Sequence, residues 1–238
     1  MTEESVPRSG AGEAGSRFNF GVMARTYDRW YDTPAGRAYD RLEKHAVEKL
    51  LPPRSAGARL LEVGCGTGHW STFFSAHGFE VVGVDLAPEM ISAAAGKRIA
   101  NAAFHVADAH SLPFDDGSFD VTAAIATIEF VRDAQVVLEE MARCTRRPGG
   151  AMVVGTLNAL APINRRRKDL TRPPYAMARF FRPGEVRKLL ASCGEAQVRV
   201  CAFGAAVRLP IGLGALADRL AATLRLRSGA FIAGRATL

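Results

Sequence analysis

The sequence predicts an α/β chain, a mostly parallel sheet covered by helices on both faces. Three observations carry that reading. Short apolar runs alternate with helical patterns at close intervals through the middle of the chain, as they do where helices cross between parallel strands. The run Leu60-Leu61-Glu62-Val63 leads at once into Gly64-Cys65-Gly66-Thr67-Gly68 and then into a periodic stretch, His69 to Ala76. Strand, tight turn and helix in that order hold a nucleotide-like ligand at the edge of a parallel sheet. Finally, aspartates close the next two strands, Asp85 and Asp108, and right-handed crossovers bring both to the edge where the glycines lie.

The elements follow in order. Residues 1–17 are rich in Gly, Ser, Glu and Pro with little apolar content, which predicts a mobile tail. Residues 18–35 hold Phe18, Phe20, Met23, Tyr27, Trp30 and Tyr31, punctuated by Pro34 and Gly36. This aromatic supply suits a lid. Ala38 to Leu51 reads as a helix with Leu42, Ala46, Val47 and Leu50 on one stripe, stopped by Pro52-Pro53. Strands are predicted over 59–63, 79–84, 104–107, 119–125 and 151–156. Helices are expected from His69 to near Gly78, from Pro88 through Ala94, and after an Asp133 cap. Pro148-Gly149-Gly150 makes the turn into the fifth strand. Residues 157–182 form a long connection containing Arg165-Arg166-Arg167-Lys168 and Pro173-Pro174; connections of this length have a function or local helices of their own. Helices at 184–191 and 212–226 and strands at 197–202 and 231–236 complete a set of seven strands.

Length and composition narrow the class. At 238 residues and 48% hydrophobic the chain can bury the core of one large domain, here 18–238. Cys65, Cys144, Cys193 and Cys201 lack metal-ligand spacing, so they read as free thiols in a reducing compartment, with no metal site. No signal segment opens the sequence and no apolar run is long enough to cross a membrane, which predicts a cytoplasmic protein. The net charge of +7 favours anionic partners without naming one.

The glycines discriminate between ligands. Asp85 lies about 20 residues beyond them, where a dinucleotide enzyme keeps its ribose-binding acid. The dinucleotide fingerprint needs G-x-G-x-x-G, and its last position is His69 here. The spacing is G-x-G-x-G, preceded by Glu62 inside the strand.

Glu62-Val63-Gly64-Cys65-Gly66-Thr67-Gly68 resembles the first motif of the class I S-adenosylmethionine-dependent methyltransferases. Val84-Asp85-Leu86-Ala87-Pro88-Glu89-Met90 resembles their ribose-binding segment, and Val106-Ala107-Asp108-Ala109 with Leu112-Pro113-Phe114 the segment that closes on adenine. Phe119-Asp120-Val121 and Arg147-Pro148-Gly149-Gly150 are similar to the later motifs of the small-molecule branch, which includes ubiquinone and menaquinone biosynthesis methyltransferases. The resemblance covers roughly residues 25–156. It implies a Rossmann-like, mostly parallel seven-stranded sheet whose last strand is antiparallel, with S-adenosyl-L-methionine as cofactor and S-adenosyl-L-homocysteine as product. It gives Gly64, Cys65, Gly66 and Gly68 the methionine end of the cofactor, Glu62 the bracing of that loop, and Asp85 the ribose hydroxyls. Asp108 and Ala109 would meet the adenine amino group, Leu86 and Met90 would flank the ring, and Ile125, ending the fourth strand, is a further cofactor-binding candidate. Tyr27-Asp28 resembles the N-terminal pair that folds over the cofactor in such enzymes.

Methyl transfer from a sulfonium is an in-line displacement, which demands alignment and exclusion of water. A general base is needed only for a weakly acidic acceptor. Tyr27, His69 and Glu129 are the candidate catalytic residues, with Tyr31 and His110 on the same edge. The acceptor is expected to be a small molecule, because no extra domain is left to recognise a macromolecule. A nucleic-acid methyltransferase is the alternative, and Ile125-Ala126-Thr127-Ile128 stands where amino-directed DNA enzymes carry Asn-Pro-Pro-Tyr or Asp-Pro-Pro-Tyr. A catalytically silent cofactor-binding module is a further alternative. The leucine face at 212–226 beside Arg219, Arg225 and Arg227 leaves a peripheral contact with an anionic membrane open.

Overall fold

The structure, a computed structural model, describes residues 15–53, 57–169, 173–203, 211–224 and 226–238. Seven strands form one sheet: β1 (Arg59–Val63), β2 (Glu80–Asp85), β3 (Ala102–Val106), β4 (Val121–Ile125), β5 (Ala151–Leu157), β6 (Glu195–Cys201) and β7 (Phe231–Thr237). Their order is β3-β2-β1-β4-β5-β7-β6. The first five are parallel, and β7 runs antiparallel between β5 and β6. The expected mostly parallel sheet with an antiparallel last strand is therefore the one observed.

Strand alternation divides the core in two. Leu60, Val81, Val121 and Val153 face α2 (Pro34–Glu48) and α3 (His69–Ala76), meeting Leu42, Val47, Trp70 and Phe74. Leu61, Val84, Ala124 and Val154 face the opposite way, toward Leu138 and Met141 of α5 (Ala134–Cys144) and Leu190 of α7 (Pro183–Ala191). β4 and β5 are buried along their whole length, which is why they read as unbroken apolar runs. Asp133 caps α5 as expected, its side chain accepting from the N–H groups of Gln135 and Val136.

Some boundaries move. The helix expected from Ala38 begins at Pro34: the Thr33 side chain accepts from Gly36 N, and proline fits a first helical turn. A four-residue turn, α1 (Arg29–Asp32), precedes it, and α4 (Pro88–Gly96) follows β2. The 157–182 connection contains α6 (Pro162–Asp169) and a 3-10 turn over Tyr175–Met177, while α8 (Ile211–Thr223) ends short of the expected 226. Of the expected tail, residues 1–14 lie outside the described residues. Residues 15–17 are docked: Arg17 N donates to Phe130 O at 2.7 Å, and its guanidinium donates to the carbonyls of Val131 and Arg132. No helix among the described residues is long and apolar enough to cross a membrane.

Candidate cofactor cleft

The glycine turn owes its path to backbone dihedrals closed to most residues. Gly64 has φ +71°, and a Cβ there would stand 2.3 Å from Thr127 Cγ2. Gly66 has φ +52°, and a Cβ there would meet nothing within 4 Å. The first glycine is required by packing against the loop after β4, the second by conformation and by the open space it borders. Gly68 N-caps α3 with φ +79°.

A cleft of about 640 Å³, open mouth included, runs along the C-terminal edge of β1, β2 and β4. Tyr27, Gly64, Gly66, Asp85, Leu86, Met90, Asp108 and Ala109 line it, eight of the residues singled out from sequence. Asp85 closes β2. Its Oδ2 accepts from Gly66 N and its Oδ1 from Ala87 N, both at 2.9 Å. Burial pushes its carboxyl up, against the pull of those N–H groups. Asp108 follows β3. Partial burial raises its carboxyl, but the His110 backbone N–H and ring outweigh that and hold it below the usual carboxylate range. Two carboxylates thus share one wall with apolar side chains from Val63, Val84, Leu86, Met90 and Val131.

Residues of the N-terminal segment form the other side. Phe20 packs edge-on against Phe18, Tyr27 and Phe130, and Phe20 and Phe130 both line the cleft. Gly15 lies so close to the Asp108 carboxylate that a Cβ would stand 2.3 Å from its Oδ1. Asp28 ties the 18–35 segment to the glycine turn. Its Oδ1 accepts from Thr67 Oγ1 at 2.6 Å and its Oδ2 meets Lys97 Nζ at 2.7 Å. Burial pushes the Asp28 carboxyl up, and the bonds from Lys97 and Thr67 more than reverse it.

The remaining expected residues stand behind the cleft. Glu62 is buried and accepts from Ser71 Oγ at 2.5 Å, joining β1 to α3; burial pushes its carboxyl up to about 8. Cys65 is buried, and desolvation pushes its thiol up. The Ile125 side chain packs in the core, under Gly155. Glu62, Cys65, Gly68 and Ile125 therefore support the wall from outside its lining, because strand alternation and the turn's path point them away from it.

Two catalytic candidates are likewise outside the lining. His69 stacks on Tyr31 with ring centroids 3.5 Å apart, and its Nε2 lies 2.7 Å from Asp40 Oδ1 and 3.0 Å from Lys44 Nζ. Glu129 is fully buried, with Thr156 Oγ1 donating to one oxygen and Leu157 N to the other; burial pushes it up to about 7. Tyr27 lines the cleft, and burial drives its hydroxyl far above its ordinary range. Sequence reading missed Gly15, Ser16 and Thr127 as lining residues. Their contacts span the chain, and no local periodicity marks them.

Residues 61–154 match the family model described as a methyltransferase domain. Among curated relatives, the chain is 32% identical over 130 residues to malonyl-[acyl-carrier protein] O-methyltransferase of Serratia marcescens, covering 52% of this chain and 50% of that protein. It is 38% identical over 135 residues to demethylmenaquinone methyltransferase of Beutenbergia cavernae, covering 57% and 55%. The chain thus spans about half the length of the curated relatives it matches. Among solved structures, an S-adenosylmethionine-dependent methyltransferase of Thermotoga maritima, a possible histamine N-methyltransferase, superposes with a TM-score of 0.69. The superposition covers 92% of this chain and 97% of that one at 24% identity, a likeness of fold.

Proposed function

We propose, from the match of residues 61–154 to the methyltransferase-domain family, that the chain transfers a methyl group from S-adenosyl-L-methionine to a small-molecule acceptor. The observation that carries this is the convergence of Gly64, Gly66, Asp85 and Asp108 on one cleft roofed by the aromatic lid. The cleft fits the cofactor by the chemistry of its lining: its wall pairs carboxylates, which suit hydroxyls and an amino group, with apolar side chains, which suit a flat ring. When bound, the cofactor supplies an activated methyl on a sulfonium.

The chain's own residues do the rest. Asp85 takes the ribose hydroxyls on lone pairs that Gly66 and Ala87 leave free. Asp108 accepts from the adenine amino group beside Ala109, and Leu86 and Met90 flank the ring. Gly64 and Gly66 let the backbone approach the methionine end, and Glu62, Cys65, Gly68 and Ile125 hold that wall in place. Tyr27 keeps its proton, so it acts as a hydrogen-bond donor and lid element rather than as a base. Glu129, buried behind the lining and bonded by Thr156 and Leu157, holds the segment after β4 in place rather than taking an acceptor proton, and His69 positions Tyr31 within the lid. The lid, 18–35, excludes water, and the 157–182 segment borders the acceptor.

Partners and location follow from the surface. Leu213, Leu216, Leu220 and Leu224 are exposed along α8 and just beyond it, which supports peripheral contact with an anionic membrane; the side chains of Arg219 and Arg225 lie outside the described residues. Four buried free thiols support a reducing, cytoplasmic location.

Calorimetric titration with S-adenosylmethionine, S-adenosylhomocysteine and a nicotinamide dinucleotide tests the reading. Micromolar binding of the two sulfur compounds and none of the dinucleotide is expected. Preference for the dinucleotide refutes it.

A further inference from the structure

Against Trp30, three residues along the 18–35 segment from Tyr27, lies a polar cluster that the cofactor roles leave unused. Arg167 of α6 sits among three aromatic rings. Its guanidinium carbon is 5.5 Å from the ring centre of Trp30, 5.7 Å from Tyr39 and 5.0 Å from Tyr175. Among the described side chains, which leave out that of Asp169, its one hydrogen-bond partner is Asn164 Oδ1, at 3.1 Å, and no carboxylate pairs with it. Its neighbours in the arginine run, Arg165 and Arg166, are exposed, while Arg167 is half-buried. Rings strip water from a guanidinium's flat faces and leave its in-plane donors open. Five N–H groups, one of them spoken for, make a fork shaped for a planar or tetrahedral oxyanion.

The backbone connects this fork to the cleft: Trp30 N donates to Tyr27 O at 3.4 Å, and Tyr27 lines the cleft. The charge of Arg167 reaches Glu43, whose carboxylate has no hydrogen-bond or ion-pair partner among the described residues. Glu43 in turn feels Glu129, and Tyr27, which lines the cleft, feels both Glu129 and Tyr175. Burial pushes both Glu43 and Glu129 up to about 7, and the nearby charge of Asp40 is paired with Lys44 at 2.9 Å, which weakens the opposition of all three to an incoming anion.

We infer that Arg167 binds an anionic group, a carboxylate or a phosphate, on the methyl acceptor. The inference rests on the methyltransferase reading and names the class of acceptor. A purely structural Arg167 would pin α6 to the lid rings and show no preference among ligands.

The test is calorimetric titration of the full chain, with and without S-adenosylhomocysteine, using matched probes. The pairs are 4-hydroxybenzoate against its methyl ester, and phenyl phosphate against phenol. The charged member of at least one pair is expected to bind at least about tenfold tighter. The pair that shows it distinguishes carboxylate from phosphate. Arg167→Lys keeps part of the preference and Arg167→Met abolishes it, while both retain S-adenosylhomocysteine affinity; methionine preserves an apolar stem against the rings, and a melting curve checks folding. Equal behaviour of charged and neutral probes, absence of binding included, overturns the inference, as does a preference that survives in Arg167→Met. Loss of S-adenosylhomocysteine binding in the unmodified chain with the anion preference intact would instead count against the methyltransferase reading.

Discussion

Gly64 and Gly66 look alike in sequence, yet alanine at each should fail in a different way. At Gly64, alanine in a left-handed conformation costs about 1–2 kcal/mol. Its methyl also stands 2.3 Å from Thr127 Cγ2, 2.4 Å from Oγ1 and 2.9 Å from Cβ, contacts no real packing tolerates. Thr127 must move, giving up a hydroxyl that lies 3.1 Å from Ile125 O and 3.2 Å from Val63 O. Overpacking of that kind costs about 1–3 kcal/mol. The sum, about 2–5 kcal/mol, lowers Tm by about 4–20 °C for a chain of this length. At Gly66 the backbone cost of about 1–2 kcal/mol remains, but no clash is added, since nothing lies within 4 Å. The Gly66→Ala methyl enters the cleft instead, so Tm falls by only the backbone share, about 2–8 °C, and S-adenosylhomocysteine affinity falls by at least about tenfold. Thr127→Ala placed in the Gly64→Ala chain removes two of the three contacts and should recover part of the lost Tm. Thermal melting and calorimetric titration on all three variants decide it. Equal melting of the two single variants, or undiminished binding by Gly66→Ala, would refute the division of roles.

Further expectations concern the carboxylates. Asp85→Ala should lower cofactor affinity by about two orders of magnitude or more, since two charge-assisted bonds at about 1.5–3 kcal/mol each are lost; it should also lower Tm measurably, because Gly66 N and Ala87 N lose their acceptor. Glu62, held at about 8 when folded against 4.5 as a free side chain, ionises earlier in the unfolded chain. Its contribution is therefore complete below pH 4.5 and is lost as pH rises toward 8; Glu62→Gln should flatten that decline in a Tm-against-pH series, and an unchanged slope would contradict it. Asp28→Asn should leave global stability nearly unaltered while cleavage within 18–35 by limited proteolysis accelerates, because the Lys97 ion pair that anchors the lid is lost.

The parts of the site visible in sequence are those built by short-range chemistry. Strand, glycine turn and helix are contiguous, and Asp85 and Asp108 sit at strand ends that topology alone brings together. Glu62 shows where a finer reading was possible. It shares a face of β1 with Leu60, which packs against Trp70 and Phe74, so alternation already directed it to α3 and Ser71. The Asp28–Lys97 latch and the Gly15–Asp108 contact were not visible, because each joins distant segments through side chains with no period to betray them. Arg167 lay inside a run of four basic residues, and only its three-ring surroundings set it apart from Arg165 and Arg166.

The place of β7 in the sheet carries a consequence for assembly. β6 pairs with β7 and with no other described strand, so after synthesis it waits as an unpaired edge until the segment from Ala202 to Ala230 has emerged and β7 can wedge in. The parallel strands β1 to β5, with the whole cofactor wall, can form before that moment. Ligand added to a nascent or truncated chain ending before Phe231 should therefore find its wall already built. The same chain adds open edges at β5 and β6 to the one at β3, each free to pair with any passing strand. Binding competence and resistance to aggregation are thus acquired at different times.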